Sequence, residues 1–202
     1  MNLPFSNIFI SVTLDILYQL LQGMMKHVIK WIIKTYSSAA IDLWCKAIPL
    51  YHKTPLFTKG IVTLSQVSGQ EHKRICTIIL SVIVDLPLLG RLNSLHLVKV
   101  VHTMLDFLYL AQYTSYTNET LCQLQDSLAK FHNNKPIFVD LSIWEHFNIP
   151  KLLSLSHYES SIQLFRMIDN YNMEQSKHLH IDLAKDAYHM TNHKDKYSQM
   201  TI

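Results

Sequence analysis

Between Leu17 and Ile32 the apolar residues recur three and four positions apart. Leu17, Leu20, Leu21, Met24, Val28, Trp31 and Ile32 therefore form one stripe along a helix, and Lys26, Lys30 and Lys34, at i, i+4 and i+8, fall on the opposite face. A run of this period cannot alternate as a strand, so this part of the chain is committed to an amphipathic helix that must bury one side. The three lysines read either as a solvated helix face or as a stripe that meets phosphates.

The rest of the chain repeats the pattern. A second helix is expected over 38 to 47, ending where "IPLYHKTP" interrupts the period. "SGQE" has the form of a capping box, with Ser68 as N-cap and Glu71 at N3, and opens a helix through "EHKRICTIILSVIVD" that stops near Pro87. "LHLVKVVHTMLDFLYLAQY" (95 to 113) is apolar nearly all round, as a central buried helix would be. "TNETLCQLQDSLAKF" (117 to 131) is amphipathic and begins with cap-type residues. Further helices are expected over 149 to 168 and 172 to 190, with the short apolar piece "IFVDL" (137 to 141) ahead of them. Only "NIFISVT" (7 to 13), β-branched and aromatic, reads clearly as a strand. Four glycines and six prolines among 202 residues argue against a turn-rich all-β fold and a glycine-rich phosphate loop. The class is mainly α.

Composition narrows the function. Hydrophobic residues make up 49% and charged residues 16%, a globular rather than a disordered balance. Cys45, Cys76 and Cys122 are odd in number and far apart, giving neither a zinc pattern nor a disulfide framework. No signal-peptide architecture or spanning run is evident, so a soluble nuclear or cytoplasmic protein is expected. Residues 1 to 112 hold ten Lys or Arg against five acids, and 113 to 202 hold eight against ten, a mild basic bias in the first part that can attract DNA.

Candidate chemistry gathers in "DNYNMEQSKHLHID" (169 to 182). Glu174, His178 and Asp182 share one helical face, and carboxylates so placed could hold Mg²⁺. An ordinary polar face is the alternative. His178 and His180, two apart, lie about 200° around a helix from each other and cannot share an ion there. His72 and Cys76, at i and i+4, are either a ligand pair or a buried Cys beside a polar His. His189 and His193 have the same spacing in a solvated tail. No serine or cysteine sits in a recognisable nucleophile context.

The stretch "DNYNMEQSKHLHIDLAKDAYHMTNHKDKYSQMT" resembles the C-terminal motif of Plavaka-type transposases, found in DNA transposons of mushroom-forming fungi. "LDILYQLLQGMMKHVIKWI" is similar to an earlier block of that family, "PD-x-LHQLYQG-x-x-KHL-x-x-W". "VSGQEHKRIC", "MLDFLYLAQY" and "FHNNKPIFVDLSIWEHFNIPKLLSLSHY" resemble it in the same order, so the likeness runs over residues 8 to 201. It implies part of a DDE enzyme with an RNase H-like core, which cuts and rejoins DNA using three carboxylates and two divalent ions. Asp15 and Glu174 are then the implied catalytic, metal-binding acids, with Mg²⁺ as the ancestral cofactor. The implied organisation is a residual core strand over 1–15, a helical insertion over 16–168 and the C-terminal motif over 169–202. The expected fold is a helical insertion-type domain with one or two short strands left from the core.

Two departures from the family pattern stand out. Tyr18 takes the place of a histidine, and Lys177 takes the place of a second glutamate; His157 is kept where an earlier histidine is lost. The strands that would carry the first carboxylate are not among the matched blocks. The expectation is a truncated, catalytically inactive transposase relative that self-associates through exposed apolar surface. The alternatives are a non-catalytic helical module binding DNA or protein through Lys26, Lys30 and Lys34, and an unrelated metalloenzyme built on Glu174, His178 and Asp182.

Overall fold

The first helix, α1 (Ile16–Met25), is wound wider than an α-helix, as a π-helix, and runs directly into α2 (Lys26–Tyr36). The computed structural model describes residues 14–49, 57–64, 67–86, 94–168 and 172–192, with only the backbone described for Glu174, Gln175 and His178. Helices α3 (Ser38–Ala47), α4 (Gly69–Ile83), α5 (Ser94–Leu110) and α6 (Asn118–Asn134) follow. After them come the short α7 (Ile137–Asp140), α8 (Pro150–Ser154), a 3₁₀ turn Leu155–His157, α9 (Tyr158–Phe165) and α10 (Met173–His180). A π-wound turn Ile181–Lys185 leads into α11 (Asp186–His189). The protein is mainly helical, and among the described residues there is no strand. The expected strand 7–13 lies outside the described residues, and the apolar piece "IFVDL" supplies α7.

The sequence period explains the core. Leu17, Leu20, Leu21, Met24, Val28, Trp31 and Ile32 are all buried, while Lys26, Lys30 and Lys34 are exposed. Helix α5 buries eight of its side chains, among them Val100, Met104 and Phe107, and packs most extensively against α6. Phe107 meets Tyr158 of α9 edge-on with ring centroids 5.4 Å apart. Trp31 is the hub of a second cluster: Phe138, Trp144 and Phe147 lie 4.8, 5.6 and 5.7 Å from its ring. The chain after α6 is thereby wrapped onto α2, each aromatic contact adding to the area it removes from water.

Caps set the boundaries. The Ser68 hydroxyl accepts from the Glu71 N–H at 3.2 Å and the Glu71 carboxylate accepts from the Ser68 N–H at 2.7 Å, so the capping box forms. These hydrogen bonds to Ser68 hold the Glu71 carboxyl below its usual range. Thr117 caps α6 in the same reciprocal way with Thr120. Gly60 turns with φ at +84°, and a Cβ there would strike the side chain of Asp42. That carboxylate accepts from the N–H groups of Ile61 and Val62 at 2.8 and 3.0 Å, which fastens the 57–64 segment to α3.

His72 and Cys76 belong to the core. Burial pushes the Cys76 thiol up to about 12, and His72 is 3% exposed with Nδ1 2.9 Å from the Ser68 carbonyl. Burial, reinforced by the charge of Lys26, lowers the His72 pKa against the opposing pull of that hydrogen bond. The unfolded imidazole takes up a proton near pH 6.5, whereas the folded one resists it, so its contribution is complete above that pH and is lost as pH falls through the lower folded value. Thermal melts should therefore show stability declining from pH 7 towards pH 5, and His72→Gln should flatten that decline. An unchanged slope would mean that His72 is not held neutral.

Candidate functional site

Asp15 precedes α1 in extended conformation, the geometry of an N-cap, and is 6% exposed. One carboxylate oxygen accepts from the Tyr18 N–H, closing the first turn of α1. The other accepts at 2.9 Å from the N–H of Met173, the first residue of α10. The Asp15 carbonyl accepts from the buried Tyr158 hydroxyl at 3.0 Å and from the Gln19 N–H at 3.2 Å. One residue thus joins three elements. Helix N-termini carry unpaired N–H groups and a partial positive charge, so a single carboxylate between two of them satisfies both.

This geometry carries Glu174, the residue after Met173, to a backbone position beside the Asp15 carboxylate. The two acids singled out in the sequence are therefore neighbours in space at the level of the backbone. The two departures from the family pattern also meet. The Lys177 ammonium lies 4.9 Å from the centre of the Tyr18 ring, a cation–π contact between α10 and α1. His178 and His180 both fall on α10, which keeps them on different faces, and Asp182 lies beyond it in the π-wound turn with its side chain exposed.

The Asp15 carboxylate serves here as the acceptor for two helix N-termini. Each ion of a two-metal centre needs shared carboxylate oxygens. Here both Asp15 oxygens already accept N–H groups, and an ammonium stands over the neighbouring Tyr18. Among the described residues no three His, Cys, Asp or Glu side chains cluster closely enough to hold an ion.

Positive charge gathers instead. Lys151 of α8 donates to the Tyr18 carbonyl at 3.2 Å, and its stem lies across Gly23. A Cβ at Gly23 would come within 2.8 Å of the Tyr18 carbonyl oxygen as well as meeting the Lys151 stem, and the backbone contact is the one that needs glycine. His27, between them on α2, has its pKa lowered first by burial, then by the charges of Lys151, Lys30 and Lys26. Burial thus disfavours the protonated imidazole first, and the three ammonium charges add to that effect. Lys34 continues the face with its ammonium 6.0 Å from the Trp144 ring. Among the described residues none of Lys26, Lys30, Lys34 and Lys151 forms an ion pair with a carboxylate.

Sequence spacing brought Lys26, Lys30 and Lys34 to one face, but it could not supply Lys151, which arrives through tertiary packing. The capping role of Asp15 did have a signal: an Asp immediately before a helical period. No protein-family model, curated protein or solved structure matches the chain. Among the described residues no helix is long and apolar enough to cross a membrane.

Removing the Asp15 side chain should leave two partly buried N–H groups without their acceptor. Asp15→Ala is expected to lower stability by about 2–4 kcal/mol, as for losing two caps together, measured by urea unfolding. A loss under about 0.5 kcal/mol, the size of an ordinary surface substitution, would contradict the double cap. Calorimetric titration with Mg²⁺ should give no heat that depends on Asp15, tested with Asp15→Asn; binding abolished by that substitution would restore a metal role.

Proposed function

We propose that this chain is a helical domain of transposase descent that binds DNA through the lysine face of α2 and does not itself cut or join strands. The ancestry is supported by the ordered resemblance of residues 8 to 201 to Plavaka-type transposases. The observation that carries the binding is the exposed row of Lys26, Lys30 and Lys34 on α2, with Lys151 of α8 close by, none of them in an ion pair with a carboxylate among the described residues. Clustered ammonium groups without counter-charges hold a high local potential, and a phosphate backbone relieves it while releasing its own condensed ions. Helix α2 presents its lysines at successive turns, so they can track a phosphate backbone rather than meet at one point.

Lack of strand transfer follows from chemistry rather than from fold. Asp15 spends its oxygens on helix caps, and Lys177 stands where the family pattern has a second glutamate. An ammonium there repels a divalent cation and attracts the phosphate itself. The metal that would have bridged protein and DNA is then replaced by direct lysine contact.

The test is fluorescence anisotropy with a labelled DNA duplex over a range of salt concentrations. The combined variant Lys26→Ala, Lys30→Ala, Lys34→Ala keeps good helix formers at exposed positions, so its circular dichroism should match the parent. Its binding should weaken, and the slope of log affinity against log salt should become shallower by about 2–3, as expected for three lost phosphate contacts. Parent binding that is indifferent to salt, or an unchanged slope in the variant, would overturn the proposal.

A further inference from the structure

Next to the lysine face, the segment between α7 and α8 and the far end of α6 border an open groove of about 490 Å³. Its apolar lining includes Phe147, Pro150 and Leu153, and its polar groups include His132, Lys135 and Asn148; among the described residues no Asp or Glu lines it. The Lys135 ammonium lies 4.8 Å from the centre of the Phe147 ring and 2.8 Å from Nδ1 of His132. Burial lowers the pKa of both groups, and the charge of Lys135 lowers His132 further, so the imidazole is a neutral acceptor for the ammonium. The groove therefore pairs an aromatic ring with one positive charge and an amide that can both donate and accept.

This groove continues the basic face. Phe147 touches Trp31, Trp31 touches Trp144, and Trp144 carries Lys34. Helix α8 supplies Leu153 to the groove and Lys151 to the lysine cluster. The cleft between α5 and α6 differs, with Asp106 and Asp126 beside Lys130.

We infer that the groove receives an unstacked base of single-stranded DNA, with the base against Phe147 and its phosphate on Lys135. This rests on the DNA-binding reading above and adds the form of DNA preferred. A duplex keeps its bases stacked inside and offers nothing to an apolar pocket, whereas a single strand presents base faces to aromatic rings and phosphates to nearby lysines. Asn148 suits the donor and acceptor edges of a base.

Anisotropy with labelled oligothymidylate, an oligouridylate of the same length and a duplex separates the outcomes. Oligothymidylate should bind the parent more tightly than the duplex does. Phe147→Leu keeps apolar volume but removes the ring, and Leu153→Asp places a negative charge at a side chain 72% exposed on the rim, where folding is little affected. Each should weaken oligothymidylate binding about tenfold, within the range for losing one base–aromatic stack, and leave duplex binding unchanged. Duplex binding without a single-strand preference, or equal losses for both forms, would overturn the inference and leave the lysine face standing. Tighter binding of oligouridylate would overturn the assignment to DNA. A parent that binds none of the three would remove both readings.

Discussion

A buried carboxylate shared between two helix N-termini fixes how α1 and α10 relate. Asp15 closes the first turn of α1 and, 158 residues later, receives the first amide of α10, while its own carbonyl takes the Tyr158 hydroxyl. The contact matters because α10 is docked with little apolar burial: among the described side chains from Met173 to Met190 none is fully buried. The Asp15 cap and the Lys177 ammonium on the Tyr18 ring are two polar contacts that tie α10 to α1. Hydrogen bonds to an ionised group in a buried setting are among the stronger polar contacts, and their loss leaves orphaned donors.

The same arrangement sets the chemistry of the surface. A carboxylate engaged by two N–H groups is poorly placed to bridge divalent ions, and the neighbouring ammonium raises the local potential against them. Lys151 reaches α1 from the other side, with its stem packed on Gly23. Two ammonium groups, of Lys177 and Lys151, thus flank α1 beside Asp15. A phosphate could approach them directly, with no ion between.

Much of the architecture is legible in the sequence because the governing interactions are local. The apolar period over 17 to 32, the capping box at Ser68 and Glu71, and the apolar breadth of α5 each declare a helix, and each forms close to the expected bounds. The tertiary contributions are not legible. Trp31 looked like one more residue of a stripe, yet it gathers Phe138, Trp144 and Phe147 from a segment more than a hundred positions away. The basic face likewise draws on Lys151, from a part of the chain where acids outnumber basic residues. Asp15 was readable in two ways, as a cap by its position before a helix and as a metal ligand by resemblance, and its hydrogen bonds are those of a cap. That Tyr18 and Lys177 touch could not be read from either residue alone.

The most direct measurement is amide hydrogen exchange at Tyr18 and Met173, compared between the parent chain and Asp15→Asn, with and without Mg²⁺. A carboxylate that caps both helices requires both amides to be protected in the parent, both to lose protection on substitution, and neither to respond to the ion. A Met173 amide that exchanges freely in the parent, or protection of either amide that changes when Mg²⁺ is added, would contradict the double cap and return Asp15 to the metal.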